Sequence, residues 1–330
     1  MDSRSDLKTS EELKPRPWPL AIGQSLRAYQ WIKNGLLFAG LIFTGQWNYG
    51  YRGFKIHLWE WINWSKVGYV FAAFVVFCLL SSAGYLLNDI RDLEKDRRHP
   101  EKSKRPIAAG EVSPRMALGF AGGLTAMGMG GSLLLSLREG TWLFGLMALA
   151  YCLLSGAYSM MLKQKVIADV LTIALLFVIR VVAGCVVVPV SPCSWIIVCT
   201  LFGALFMALC KRRHELLLLG DEARWSRDVL REYAPLQLDL MIAIVCACVL
   251  MSYALYAVQV PAQVGGPLEK QTFIVTLPLV IYGVFRYLHL AYNRNIGGSP
   301  ELMFKDRAML LCFGLWAGLV VMITSARHIP

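Results

Sequence analysis

The chain has 330 residues, 56% of them hydrophobic and 17% charged, with a mean hydropathy of +0.51; soluble domains run to about 45–50% apolar and about 25% charged. These values exclude an ordinary soluble domain, and they exclude a disordered chain, which carries too little apolar surface to offset the entropy of ordering. A polytopic membrane protein remains, so the net charge of +11 reads first as loop charge that sets topology and not as a nucleic-acid-binding surface.

In chain order, residues 1–27 are expected to form a polar N-terminal tail and 28–330 a single transmembrane domain. The opening stretch lacks an apolar core preceded by basic residues and followed by a small-residue cleavage site, so no cleavable signal peptide is expected. A helix needs about 20 apolar residues to cross about 30 Å of hydrocarbon. Nine runs meet or approach that length: 31–49, 67–89, 116–137, 141–160, 168–189, 194–211, 238–260, 272–292 and 308–326. They show no strict alternation of apolar and polar residues, which points to helices and not barrel strands. Lysine and arginine are concentrated on the loops that share a side with the N-terminus, so that side is expected to be cytoplasmic and the C-terminus outside. Nine cysteines include no C-x-x-C pair and read as small buried hydrophobes.

The second run ends in Asn88-Asp89-Ile90-Arg91-Asp92-Leu93-Glu94-Lys95-Asp96. At about 100° per residue, positions 88, 92 and 96 share an arc of about 80°, with Asp89 just beside it. Oxygen ligands without His or Cys suit a hard cation such as Mg²⁺, which keeps waters and draws its other ligands from substrate phosphates. Asn88, Asp89, Asp92 and Asp96 are therefore the candidate metal ligands, and Asp89, Asp92 and Asp96 the candidate catalytic carboxylates. The alternative is a solvated helix end in which Asp92 and Asp96 pair with Arg91, Lys95 or Arg98. Downstream, Arg97, Arg98, His99, Lys102, Lys104 and Arg105 make a loop able to wrap a polyanion. Arg105, between Lys104 and Pro106 and ahead of the Gly110 turn, is the residue placed on a phosphate, because a guanidinium fork matches phosphate oxygens. Arg180 lies mid-span, where a charge is expensive, and is a candidate for a lipid phosphate or for an internal carboxylate partner. Arg286 is close enough to a span end to snorkel.

These residues resemble the UbiA-type intramembrane prenyltransferases, whose members share the N-D-x-x-D-x-x-x-D motif and nine transmembrane helices. The likeness is greatest to the decaprenyl-phosphate phosphoribosyltransferase branch. It rests on Gln30-Trp31-x-Lys33-Asn34, on Asp92-x-Glu94-x-Asp96-Arg97-x-His99-Pro100 with Arg105-Pro106-Ile107-Ala108-Ala109-Gly110, and on Lys211-Arg212-Arg213-x-Glu215-Leu216. Two departures stand out. Arg27 is followed by Ala28 and Tyr29 where the branch usually has Arg-Pro, which leaves the helix entry less rigid. The second Asp-rich motif of aromatic prenyltransferases is replaced by Lys211, Arg212, Arg213, His214 and Glu215; Asp221, Glu222 and Asp228 follow without reproducing it.

The resemblance implies an all-α bundle around a central pocket open to the cytoplasmic side of a cell membrane. It implies an Mg²⁺-dependent transferase that moves 5-phosphoribose from phosphoribosyl pyrophosphate to a polyprenyl phosphate, a product used in cell-wall biosynthesis. The expected partners are these two substrates and the lipid bilayer, with no nucleic acid and with a homo-oligomer left open. Lys33, Asn34, Arg105, Tyr158, Lys163, Asp169, Arg180, Lys211, Arg212, Glu215 and Arg231 are the candidate substrate-binding residues. Asp169 is open to a second role, pairing with Lys163 or Lys165, and the 211–213 run to a second reading as charge flanking a span. Two other functions compete: an aromatic prenyltransferase using a prenyl diphosphate, which the missing second Asp motif disfavours, and a cation transporter, disfavoured because the acids cluster at one mouth and not near the midplane.

Overall fold

The computed structural model describes residues 17–43, 64–99, 102–138, 140–192, 194–219, 228–264, 269–293 and 300–326, and every regular element among them is helical. In hydrocarbon a backbone N–H or C=O has no water to bond, so the helix, which satisfies both within one segment, is the form long apolar runs adopt. After α1 (Trp18–Ser25), a 3₁₀ segment over Ala28–Phe38 leads into α2 (Ala39–Phe43). The long helix α3 (Trp64–Arg91) continues into the short α4 (Leu93–Arg97). Then follow α5 (Pro114–Arg138), α6 (Leu143–Met160), α7 (Ala168–Val187), α8 (Ser194–Leu219), α9 (Pro235–Val264), α10 (Leu277–Asn293) and α11 (Arg307–Ala326).

Seven stretches among the described residues are long and apolar enough to cross a membrane: α3, α5, α6, α7, and Ser194–Leu218, Pro235–Gln259 and Phe273–Asn293. They correspond to the second through eighth expected spans. The ninth is the shorter apolar helix Arg307–Ile323. The first is split between the 3₁₀ segment and α2, and its end, 44–49, lies outside the described residues. With 28 residues at 1.5 Å each, α3 is about 42 Å long and outreaches the hydrocarbon. Its last turns therefore carry Asn88 and Asp89 toward a membrane face.

Helix α3 packs along α5, α7 lies against α6 and α8, α8 runs along α9, and α10 pairs with α11. One core half gathers Leu37, Phe77, Phe144, Tyr151 and Val187; the other gathers Leu209, Leu238, Ile242 and Tyr287. Large side chains such as Leu134, Leu153, Ile244, Met251 and Leu311 stay exposed, as lipid-facing positions require. Part of the stretch expected to be a polar tail is packed: Ala21 and Ile22 of α1 are buried with Leu86, Ile107, Val112 and Ala117. The polar composition of 1–27 averages over the apolar Trp18–Ile22 run, which is long enough to seal this corner.

The 3₁₀ segment reaches α7 because residue 184 is glycine: a Cβ there would overlap the backbone of Leu37. Overpacking of this kind costs about 1–3 kcal/mol. Gly184→Leu is therefore expected to lower the melting temperature of the detergent-purified protein, or to abolish its monodisperse elution in size-exclusion chromatography.

Candidate active site

The acid face is built by helical register. Beyond the end of α3 the amide of Asp92 donates to the Asn88 carbonyl at 2.9 Å, and the amide of Asp96 donates to the Asp92 carbonyl at 2.8 Å. Asn88, Asp92 and Asp96 thus stack one turn apart, as their spacing predicts, and Asp89 and Asp96 are buried.

Buried carboxylates need partners, and three other chain segments supply cations. Nη2 of Arg27, from the turn between α1 and the 3₁₀ segment, donates to Asp89 Oδ1 at 2.5 Å. Nη1 of Arg105, on the loop before α5, donates to the same Asp89 oxygen at 3.1 Å and to Asp96 Oδ2 at 2.6 Å. Nζ of Lys163, in the link from α6 to α7, donates to Asp92 Oδ1 at 2.5 Å and to Asn88 Oδ1 at 3.2 Å. Among the described residues Asp92 pairs with Lys163 and Asp96 with Arg105 in place of the alternative Arg91, Lys95 or Arg98, and Arg91 donates to the Met160 carbonyl at 3.0 Å. Burial pushes the Asp96 carboxyl above the usual carboxylate range, with Arg105 opposing the rise and Asp89 adding to it.

Arg27 was not among the sequence candidates. Its backbone sits in the left-handed region, at φ 53° and ψ 50°, a conformation that costs a non-glycine residue about 1–2 kcal/mol. Ile167, at φ 68°, is strained in the same sense, and its N–H donates to the Tyr233 hydroxyl at 2.7 Å. Strained residues held by their surroundings gather at functional sites, and nothing in the residue types at 27 or 167 announces a positive φ.

A second network lies beside the first in the chain. Arg212, only 1% exposed, donates from Nε to Asp169 Oδ2 at 2.5 Å, from Nη1 to Glu215 Oε2 at 2.7 Å and from Nη2 to the Tyr158 hydroxyl at 3.2 Å. Tyr233 donates to Asp169 Oδ1 at 2.9 Å, and burial pushes its hydroxyl pKa up to about 12, so it remains a donor. Asp169 therefore pairs with Arg212 and not with Lys163 or Lys165, because it enters α7 on the face packed against α8. Charge flanking a span does not describe Arg212, which is enclosed. Its neighbour Arg213 points elsewhere, donating to Asp239 at 2.5 Å with its guanidinium 3.7 Å from the centre of the Tyr292 ring; Tyr292 also donates to Asp239. Lys211 is half-buried on the same turn.

Other candidates are placed away from the acid face. Arg180 donates to Asn34 Oδ1 at 2.7 Å, to the Leu176 carbonyl at 2.8 Å and to the Tyr151 hydroxyl at 2.9 Å, while Asn34 donates to Ser81 and Cys78. Arg180 has no carboxylate partner among the described residues, which removes the expected internal ion pair: the helices around it present amide, phenol and backbone oxygen. Lys33 reaches Gln30 at 3.4 Å. Arg286 does not snorkel alone, since it pairs with Asp306 at 2.8 Å. The side chain of Arg231 lies outside the described residues, as do Asp221 and Glu222.

Among the described residues no three His, Cys, Asp or Glu side chains converge as a ready-made metal cage. Each carboxylate of the acid face uses one oxygen on a cation; Asp89 Oδ2, Asp92 Oδ2 and Asp96 Oδ1 have no hydrogen-bond partner among the described residues. Uncaged oxygen donors of this kind fit a hard divalent cation that retains water and takes further ligands from phosphate.

The sequence pattern of the UbiA prenyltransferase family matches residues 57–311, most of the chain. The chain belongs to the UbiA prenyltransferase family. A relative from Mycolicibacterium smegmatis, named decaprenyl-phosphate phosphoribosyltransferase, is 31% identical over 94% of this chain and 96% of its own length. A protein of the same name from Corynebacterium glutamicum is 32% identical over 91% and 85%. A solved UbiA homolog from Archaeoglobus fulgidus bound to DMAPP and Mg²⁺ covers 92% of this chain and 99% of its own, with a TM-score of 0.65 and 16% identity, a likeness of fold. The protein is thus a multi-pass membrane transferase of the UbiA family.

Removing one member of a buried ion pair strands the other, at a cost of about 3–5 kcal/mol. Asp169→Asn is expected to fall at the low end, about 3 kcal/mol, because Arg212 keeps Glu215. A double-mutant cycle with Arg212→Gln, read by thermal melting, should show strongly non-additive effects; simple additivity would mean that the pair is not coupled.

Proposed function

We propose that the protein transfers 5-phosphoribose from phosphoribosyl pyrophosphate to a polyprenyl phosphate, in an Mg²⁺-dependent reaction. The observation that carries this reading is the pairing of one acid face, Asn88, Asp89, Asp92 and Asp96, with cations from three separate segments, next to an enclosed Arg212 network where aromatic prenyltransferases place a second acid motif. The names of the relatives from M. smegmatis and C. glutamicum support the same choice.

In this reaction the bond from C1 of the ribose to the diphosphate oxygen breaks, a bond from C1 to an oxygen of the lipid phosphate forms, and pyrophosphate leaves. Asn88, Asp89, Asp92 and Asp96 would hold Mg²⁺, which when bound would supply charge neutralisation for the leaving diphosphate. Arg105 and Lys163 already donate at the acid face, where they are placed to bind and orient the phosphate oxygens. The enclosed Arg212–Asp169 pair fixes the half-buried Tyr158, whose hydroxyl is the member of that network available to the ribose end of the donor. The lipid phosphate has a second pKa of about 6, so it is largely ionised at neutral pH and attacks without a general base. The positive charge of the loops on that side supports a cytoplasmic site, open to a soluble donor, with the prenyl chain leaving between helices into lipid.

The test is to incubate the purified protein in detergent with labelled phosphoribosyl pyrophosphate, polyprenyl phosphates of several lengths and Mg²⁺, with an EDTA control, and to follow label into the organic phase. Transfer abolished by EDTA is expected; no transfer by folded protein would overturn the reading in favour of a prenyl diphosphate substrate. Asp92→Asn and Asp96→Asn should each lower turnover by about a hundredfold or more while leaving membrane insertion intact, and near-normal turnover of either would contradict the assignment of the acid face.

A further inference from the structure

The acid face pairs three carboxylates, Asp89, Asp92 and Asp96, with three cations, Arg27, Arg105 and Lys163. A divalent cation arriving alone meets carboxylates that each have one oxygen on a cation, so that three positive charges stand beside the oxygens left for it. A divalent cation arriving with a diphosphate meets the same oxygens but brings new acceptors for the displaced cations. From this arrangement we infer that Arg27 is a diphosphate-binding residue that serves as a counter-ion of Asp89 until substrate arrives, and that it makes metal and diphosphate bind together more tightly than either alone. The inference rests on the acid face being the metal–diphosphate site.

Arg27 is suited to this exchange in three ways. It is the closest cation to Asp89, at 2.5 Å against 3.1 Å for Arg105, so it is the charge that competes most directly with a metal at Asp89. Its guanidinium lies 5.2 Å from the centre of the Tyr85 ring, an aromatic face one turn back on α3 that holds a cation without neutralising it. Its left-handed backbone, in the turn between α1 and the 3₁₀ segment, aims the side chain at α3 from a segment separate from those of Arg105 and Lys163. The three cations can therefore approach a diphosphate from different directions.

The test uses Arg27→Gly and Arg27→Lys in the full chain. Glycine adopts φ 53° without strain, so the first variant removes the cation while keeping the turn, and a melting curve confirms its fold. Two quantities are measured: the Kd of the protein for Mn²⁺ alone, and its Kd for labelled inorganic pyrophosphate at saturating Mn²⁺. In Arg27→Gly the Mn²⁺ Kd should fall at least threefold, because a competing charge is gone, and the pyrophosphate Kd should rise at least tenfold, because a ligand is gone. Arg27→Lys keeps the charge and loses the fork, so it should hold the Mn²⁺ Kd near wild type and weaken pyrophosphate by a smaller factor. A purely structural role would weaken both affinities in Arg27→Gly, and that result, or two unchanged constants, would overturn the inference. Wild-type protein that binds no Mn²⁺ with or without pyrophosphate would instead overturn the reading of the acid face itself, and the inference with it.

Discussion

Burying carboxylates at the end of a membrane helix is the constraint around which this molecule is organised. Asp89 and Asp96 are nearly inaccessible, and an ionised carboxylate taken out of water needs opposite charge and hydrogen bonds to compensate lost hydration. Helix α3 cannot supply that charge from its own face. Arg27, Arg105 and Lys163 come from the turn after α1, the loop before α5 and the link between α6 and α7. The convergence of those segments on one helix end is therefore both a folding requirement and the construction of the site.

The rest of the packing supports that convergence. Gly184 lets the 3₁₀ segment lie against α7, which holds the chain leaving Arg27 close to α3. Arg180 then ties this segment to α6 and α7 through Asn34 and Tyr151, a polar knot within an apolar core. On the other side, Arg213, Asp239 and Tyr292 join α8, α9 and α10, and the adjacent Arg212 turns instead to Asp169 and Tyr158 of α7 and α6. One helical turn of α8 thus serves two purposes, bracing the bundle and presenting an enclosed cation.

Chemically, the two networks differ in kind. The acid face leaves one oxygen of each carboxylate without a partner among the described residues and draws its cations from separate segments, features that fit the proposed metal–phosphate site. The Arg212 network has its charge saturated by Asp169 and Glu215 and its hydroxyls supplied by Tyr158 and Tyr233, features of a rigid wall.

Sequence alone determined the helical membrane class, seven of the expected spans, and the acid face, because each depends on local periodicity: runs of apolar residues for the spans and a spacing of four for Asn88, Asp92 and Asp96. The sequence pattern also singled out Arg105, Lys163, Asp169, Arg212 and Glu215 as site candidates, though not their partners. Tertiary structure decided those partners: Arg27 on Asp89, Arg212 on Asp169, Arg180 on Asn34 and Tyr151, and α1 folded onto the bundle instead of trailing as a polar tail. These contacts join residues far apart in the chain, from 43 positions between Asp169 and Arg212 to 146 between Asn34 and Arg180. A residue's type states that a buried charge needs a partner; only the packing of helices, set by small residues such as Gly184 and by which face each helix turns inward, states which partner it finds.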